Sequence, residues 1–155
     1  MAFNVNEFRS QMIGDGARPN LFEVSMPFPA FSNAGNAQQK MTFMCKTAQL
    51  PGAISVINDE DFSVRNAFER WMNGINSHAL NVRNPVATSP GGYSVDGQVT
   101  QFGKAGDALK KYNFVGLFPT DLTPIDVDWG ANDTMEEFSV TLSYQWWESV
   151  EDGVL

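Results

Sequence analysis

The chain has 155 residues, of which 43% are hydrophobic and 12% aromatic, and it carries a formal charge of −8. That length and apolar content suit a single domain over residues 1–155 with a sizeable core. The acidic balance argues against a surface built to grip phosphates, because nucleic-acid affinity comes mostly from Lys and Arg. In "MAFNVNEFRSQMIGDG", Glu7 and Arg9 stand where a secretion signal would be apolar, and no run approaches the roughly 20 apolar residues of a membrane span. A chain made and kept in a cytoplasm is therefore expected. Cys45 is the single cysteine, which leaves no intrachain disulfide and no Cys-Cys metal spacing; a buried structural thiol is expected.

Strand-like runs dominate. The first two are "NLFEVSMPF" at 20–28 and "KMTFMCKTA" at 40–48, joined by the turn-rich "PFPAFSNAGNAQ". A helix follows. In "DEDFSVRNAFERWMNGINSH", Val64, Ala67, Phe68, Trp71, Met72 and Ile75 recur at intervals of three and four, with Arg65 and Glu69 four apart on the other side. This predicts an amphipathic helix over 62–75, with Asp59, Glu60 and Asp61 capping its start and Asn73-Gly74 stopping it. Residues 78–92, "HALNVRNPVATSPGG", form a long, weakly patterned connection of the kind that makes contacts. Strands are expected again at "YSVDGQVTQF", 93–102, and "KYNFVGLFP", 111–119. After the acidic turn region "PIDVDWGANDTMEE", the last strand is "EEFSVTLSYQWWE", 136–148, with Phe138, Val140, Leu142, Tyr144 and Trp146 alternating with Ser139, Thr141, Ser143 and Gln145. One face belongs to a core, and the other meets water, a polar surface or the helix. The pattern as a whole describes a mainly antiparallel β-barrel or sandwich with one flanking helix.

No catalytic or metal-binding pattern survives inspection. Asp126, Asp128 and Glu137 match three positions of a calcium loop, but Gly130 stands one place early, Ala131 takes the glycine position, and the flanks are strand-like. "GQVTQFGKA" imitates a phosphate-binding loop, yet five residues separate its glycines and Ala105 replaces the Ser or Thr that would meet magnesium. His78 is the only histidine, and no Gly-x-Ser-x-Gly elbow exists. Neither an enzyme nor a cofactor is expected. Among the four tryptophans, Trp71 and Trp146 fit the core, while Trp129 and Trp147 are either tucked under a loop or buried by another protein.

Taken in order, "ARPNLFEV" (17–24), "MCKTAQLPG" (44–52), "INDEDFSVRNAFERWMNGINSH" (57–78) and "YNFVGLFPTDLTPIDVDWGANDTMEEFSVTLSYQWW" (112–147) closely resemble the tail tube proteins of contractile-tailed, myovirus-type bacteriophages. The resemblance spans nearly the whole chain. It implies a barrel-like fold, homohexameric rings stacked into a hollow tube inside a contractile sheath, and passage of the tape-measure protein and DNA through the bore without specific binding. It also implies a sheath protein, baseplate and tail terminator proteins as partners, and a place in the virion tail after assembly in the host bacterial cytoplasm. On this reading Ser139, Thr141, Ser143 and Gln145 are candidates to face the lumen. Leu50, Pro51, Ile57, Asp59, Asp61, Arg65, Asn84, Trp129 and Trp147 are candidates for contacts between subunits. Family members continue after the "LPG" turn with a further hairpin-length stretch, whereas here Gly52 runs straight into "AISVINDEDF". Two other readings stand beside this one: an initiator or baseplate ring of the same fold that does not polymerise, and a small β-barrel module binding a ligand through Trp129 and Trp147.

Overall fold

Strand β5, Ala108–Leu122, carries two sheets at once. In the computed structural model, which describes residues 20–49, 52–85 and 90–150, β5 pairs along one edge with β4 (Val95–Phe102). Along its other edge lie β6 (Glu137–Ser143) and β7 (Trp146–Val150), end to end. β1 (Phe22–Ser25) extends the array from β4, while β3 (Ala53–Ile57) and then β2 (Cys45–Gln49) extend it from β6. All six strand pairings are antiparallel. The outermost strands β1 and β2 approach each other, but no ladder joins them among the described residues. The expected antiparallel β class, with a helix beside it, is what the sequence builds.

The fold turns at Gly116. β6 and β7 keep one register against β5, with Leu142 opposite Pro119, Ser143 opposite Phe118, Trp146 opposite Val115 and Trp147 opposite Phe114. Pairing lapses between these stretches, where Gly116 has φ +72° and a Cβ would lie 2.8 Å from the Gln145 Cγ, and the register shifts by one residue further on, between Pro119 and Asp121. A side chain at this left-handed position is strained, so glycine is required. Asp96 Oδ1 accepts from the Gly116 N–H (3.1 Å) and Val115 O accepts from the Gln145 N–H (2.9 Å), which satisfies the backbone where the ladder opens.

Inward and outward positions exchange at this bend. Before it, Tyr112 and Phe114 pack on the core; after it, Leu117 does. On the partner strand Phe138, Val140 and Leu142 are buried, Tyr144 meets Phe114 at 5.5 Å, and then Trp147 rather than Trp146 lies beside Tyr112, at 6.0 Å. The expectation of one unbroken strand with Trp146 in its core face is thereby corrected. Trp146 is 50% exposed, and Trp147 returns to the side of Phe114 and Tyr112. A half-period shift in a strand moves every later side chain to the other face.

Between the sheet halves lie Val24, Met26 and Val99 from one and Ile54, Val56, Val140 and Leu142 from the other. Helix α2, Ser63–Ile75, closes this core with the face the periodicity predicts, burying Val64, Ala67, Phe68 and Trp71. Phe68 meets Phe28 at 5.0 Å and Phe138 at 6.4 Å, both edge-on, and Trp71 stacks on Phe68. Each such ring contributes about 1.5–3 kcal/mol by leaving water. Trp71 Nε1 donates to the Tyr93 carbonyl (2.6 Å), which ties down the short helix α3, Pro90–Tyr93. Gly74 does not stop the helix, which runs on to Ile75; it is buried because a Cβ would strike the Phe31 ring.

Two further expectations change. Residues 37–44 form helix α1, Ala37–Met44, where a strand was expected from Lys40. "AQQKM" is a run of good helix formers, and Ala37 and Met41, four apart, are both fully buried. Conversely, Ala53–Ile57, where no strand was expected, is strand β3, its Ile54 and Val56 alternating into the core. At the head of α2, Asp61 Oδ1 accepts from the Ser63 N–H (3.0 Å), as a capping acid should. Asp59 does something else. Lys40 of α1 lies between Asp59 (2.6 Å to Oδ2) and Asp61, which locks the two helices together. That contact raises the Lys40 pKa above its ordinary value, chiefly through the hydrogen bond to Asp59, and holds Asp61 well below the usual carboxylate range, chiefly through the bond to Lys40.

Two measurements check this account. Gly116→Val should lower stability in urea by about 1–3 kcal/mol, the typical cost of forcing a side chain into left-handed backbone. Lys40→Met should be less stable than the parent at neutral pH. Because the folded pKa of Asp61 is depressed, its contribution is present above the unfolded carboxylate pKa and fades as pH falls through the folded one. Because that of Lys40 is raised, its contribution fades only as pH rises through the elevated value. The stability gap between parent and variant, followed by thermal melts, should therefore narrow on strong acidification and at very high pH.

Candidate assembly interface

The face of β6 opposite the core is continuous with those of β3 and β2. Ser139 sits across from Ser55, which sits across from Thr47; Thr141 sits across from Ala53, which sits across from Gln49. Ser55 Oγ and Ser139 Oγ are 2.9 Å apart, the Ser139 N–H donates to Thr123 Oγ1 (2.8 Å), and Thr120 Oγ1 donates to the Thr141 carbonyl (3.3 Å). The result is a small-residue, hydroxyl-rich surface. Its charges are few: Lys46 Nζ meets Glu137 Oε1 at 2.5 Å, and Asp121 stands opposite Thr141. Helix α2 packs against Phe138, on the other side of the sheet, so it does not cover this surface.

Three of the four candidate lumen residues, Ser139, Thr141 and Ser143, share this face. Gln145 leaves the row, lying at the bend with its side chain over Gly116. On either side the surface ends in a strand edge: β2 at one margin and the Phe118–Leu122 part of β5 at the other, each unpaired there among the described residues.

The other candidates separate into two groups. Leu50 and Pro51 lie outside the described residues. Ile57 ends β3, half-buried. Asp59 and Asp61 hold Lys40, and Arg65 is held three ways: by Glu69 (2.7 Å), by the Thr123 carbonyl (2.7 Å) and over the Phe138 ring (5.2 Å). The Asn84 N–H donates to the Gly74 carbonyl (2.9 Å). Asp59, Asp61, Arg65 and Asn84 thus brace the fold from within. The tryptophans differ. Trp147 is half exposed at the edge of β7, and Trp129 is 101% exposed, so no loop tucks over it.

Reasoning from the sequence missed Val127 and Met135, exposed in the same loop as Trp129, and Leu80 and Val82, exposed in the 76–85 connection. Their signal was apolar residues inside polar, turn-rich stretches. Asp128 uses its Oδ1 to accept from the Gly130 N–H (2.9 Å) and Glu137 is engaged with Lys46, so both acids have structural work within the chain. Cys45 is half-buried, and burial pushes its thiol up to about 11, which keeps it protonated and unreactive at neutral pH.

A family model described as phage tail tube protein matches residues 53–150, the segment holding β3 through β7 and α2. Two relatives, the tail tube proteins gp19 of Enterobacteria phages T6 and T4, are each 28% identical over 163 residues, covering 87% of this chain and 93% of the relative. The alignment is longer than the part of this chain it takes in, so these relatives hold residues with no counterpart here. Among solved structures, the sheath–tube complex of an extracellular contractile injection system is similar at 15% identity, with 97% of this chain and 99% of that one covered and a TM-score of 0.49. The anti-feeding prophage cap is similar at 21% identity over 64% of this chain and 56% of that one, with a TM-score of 0.47. With more than half of its length matched by the family model, this chain belongs to the phage tail tube protein family and is a structural subunit of a tail tube.

Proposed function

We propose that copies of this chain join edge to edge into six-membered rings that stack as a hollow tube within a contractile sheath, with the hydroxyl-rich face turned to the bore. The observation that carries this reading is that, among the described residues, this face is uncovered and bounded by two free strand edges of compatible direction. β2, β3, β6 and β5 alternate in direction, so β2 of one copy laid beside β5 of the next continues the antiparallel order without a break. Unpaired edges are templates for such joining, and repetition around an axis closes them. The margin of β5 that would join is also the one freed by the Gly116 bend.

A wall of Ser, Thr and Gln neither stacks on bases nor attracts phosphate. With Lys46 neutralised by Glu137, Asp121 leaves the wall weakly anionic. Screening confines its repulsion to about 8 Å at physiological salt, which is enough to discourage adhesion at the surface without opposing transit. The chain acts here by geometry and needs no catalysis. Its partners are further copies of itself, the sheath, and the proteins that begin and end the tube; tape-measure protein and DNA pass through. It resides in the virion tail, after assembly in the host cytoplasm.

Negative-stain microscopy of the concentrated full-length chain tests this directly. Rings that elongate into tubes are expected, isolated rings favour an initiator, and persistent monomers refute self-assembly. Thr141→Arg then tests the orientation of the wall. Assembled variant tubes should retain double-stranded DNA at low salt and release it steeply as salt rises, as phosphate contacts require. Tubes of the variant that ignore DNA would place the hydroxyl face elsewhere.

A further inference from the structure

The 14 residues between β5 and β6, 123–136, form a braced loop that presents bare hydrophobic groups. Arg65 holds its start at the Thr123 carbonyl, and Asn58 holds its end, through its N–H to the Glu136 carbonyl (2.8 Å) and its Nδ2 to Glu136 Oε1 (2.5 Å). At the tip, Asp128 accepts from the Gly130 N–H through its side chain and from the Ala131 N–H through its carbonyl (3.2 Å). Trp129 projects from this turn fully exposed, with Val127 87% and Met135 71% exposed nearby in sequence. A large apolar surface held open by an ordered loop marks a contact site, and Trp is the residue most enriched at the energetic centre of interfaces.

The charge of this loop selects its partner. From Tyr112 to the last residue the sequence has no Lys, Arg or His, yet it holds nine of the eighteen acids, Asp126, Asp128, Asp133 and Glu136 among them. The matching surface must be apolar and cationic. The chain itself has one. Residues 76–85, after α2, close on themselves through Ser77 N–H to the Val82 carbonyl (3.0 Å) and Asn81 N–H to the Ser77 carbonyl (2.8 Å), which leaves Leu80 and Val82 turned out, 77% and 61% exposed. Next to them in sequence, Arg83 lies over Tyr93 and bonds the Ile75 carbonyl, while Arg70, which shares a groove with His78, bonds the Asn33 carbonyl. The one acid in residues 66–85, Glu69, is taken by Arg65. This knob therefore keeps a net positive charge.

The geometry points to a head-to-tail contact in which the Trp129 loop of one copy docks on the Leu80–Arg83 knob of the next. Acid meets base and apolar meets apolar, and the two halves are different surfaces of one chain. Such a heterologous contact either closes a ring or runs on along a stack. It adds to the edge joining proposed above and rests on it in one respect, that copies assemble with copies.

Assembly of the full-length chain, followed by sedimentation and negative-stain microscopy, tests it with three variants. Trp129→Ser removes a side chain that is wholly in solvent, so the monomer should melt as the parent does, while the concentration needed for assembly should rise at least tenfold. Asp126→Lys with Asp133→Lys should block assembly. Adding Arg70→Glu and Arg83→Glu to that pair should restore it, and in a mixture the fourfold variant and the parent should assemble into separate particles rather than mixed ones. If the parent stays monomeric, self-assembly itself is refuted. If the parent assembles and Trp129→Ser assembles at the same concentration, or the fourfold charge swap fails to rescue although its monomer folds, the docking is overturned and the loop faces a different cationic partner.

Discussion

The left-handed backbone at Gly116 lets a single strand belong to two sheets, and both useful surfaces of the molecule depend on it. Without the bend, β6 and β7 would lie along β5 as one long strand, and their apolar side chains would need one continuous covering layer. With it, Leu117 and Phe114 both reach the core although they are three residues apart, and Gly97 lies so close that a Cβ there would be 2.5 Å from Leu117 Cδ1. Three strands distort at the same level, at Asp96 in β4, Gly116 in β5 and Gln145 between β6 and β7. The carboxylate of Asp96 bonds the freed N–H, so the opening of the ladder leaves that donor satisfied. Bulges and glycines are the usual means by which sheets are made to curve.

Curvature then divides labour between the faces. The core side takes the large side chains, with α2 contributing Phe68 and Trp71 to the same cluster as Phe138. The opposite side of β2, β3 and β6 is left with hydroxyls that bond across strands, as Ser55 and Ser139 do. A helix on that side would have buried those hydroxyls; instead α2 is fixed on the other side by Arg65 over Phe138 and by the Lys40 link to α1. The internal braces and the open surfaces are thus complementary: what clamps the helix in place is what keeps the wall bare.

How much of this the sequence disclosed depended on the range of the forces involved. The helix at 63–75 was legible because its periodicity is local, and the hydroxyl face of β6 was legible because alternation is local too. Ser139, Thr141 and Ser143 fell on one surface as alternation requires. Trp146 and Gln145 did not continue the pattern, because the bend is set by Gly116, nearly thirty residues earlier on another strand, and nothing near Trp146 announces it. The segment at 37–44 misled for the opposite reason: "KMTFM" alternates like a strand, yet what decides it is the pairing of Ala37 with Met41 against the core, a tertiary outcome. Asp59, Asp61 and Arg65 looked available because charged residues near a helix start often are. Lys40, distant in sequence, captures two of them.

In the proposed assembly, a subunit that joins through β edges faces the hazard that any edge will pair with any other. The placement of charge addresses this. Lys46 and Glu137 sit together at one end of the hydroxyl face and Asp121 on its β5 margin, so a slipped register brings an unmatched charge against the neighbour's backbone row. The acids gathered after Tyr112 give every copy the same strongly negative stretch of chain, which disfavours an approach that brings two such stretches together. In the proposed assembly, edge pairing supplies the attraction, while the lopsided charge favours one mutual orientation. A chain with the same strands but evenly mixed charges would retain the attraction and lose the directionality that a straight, single-bored tube requires.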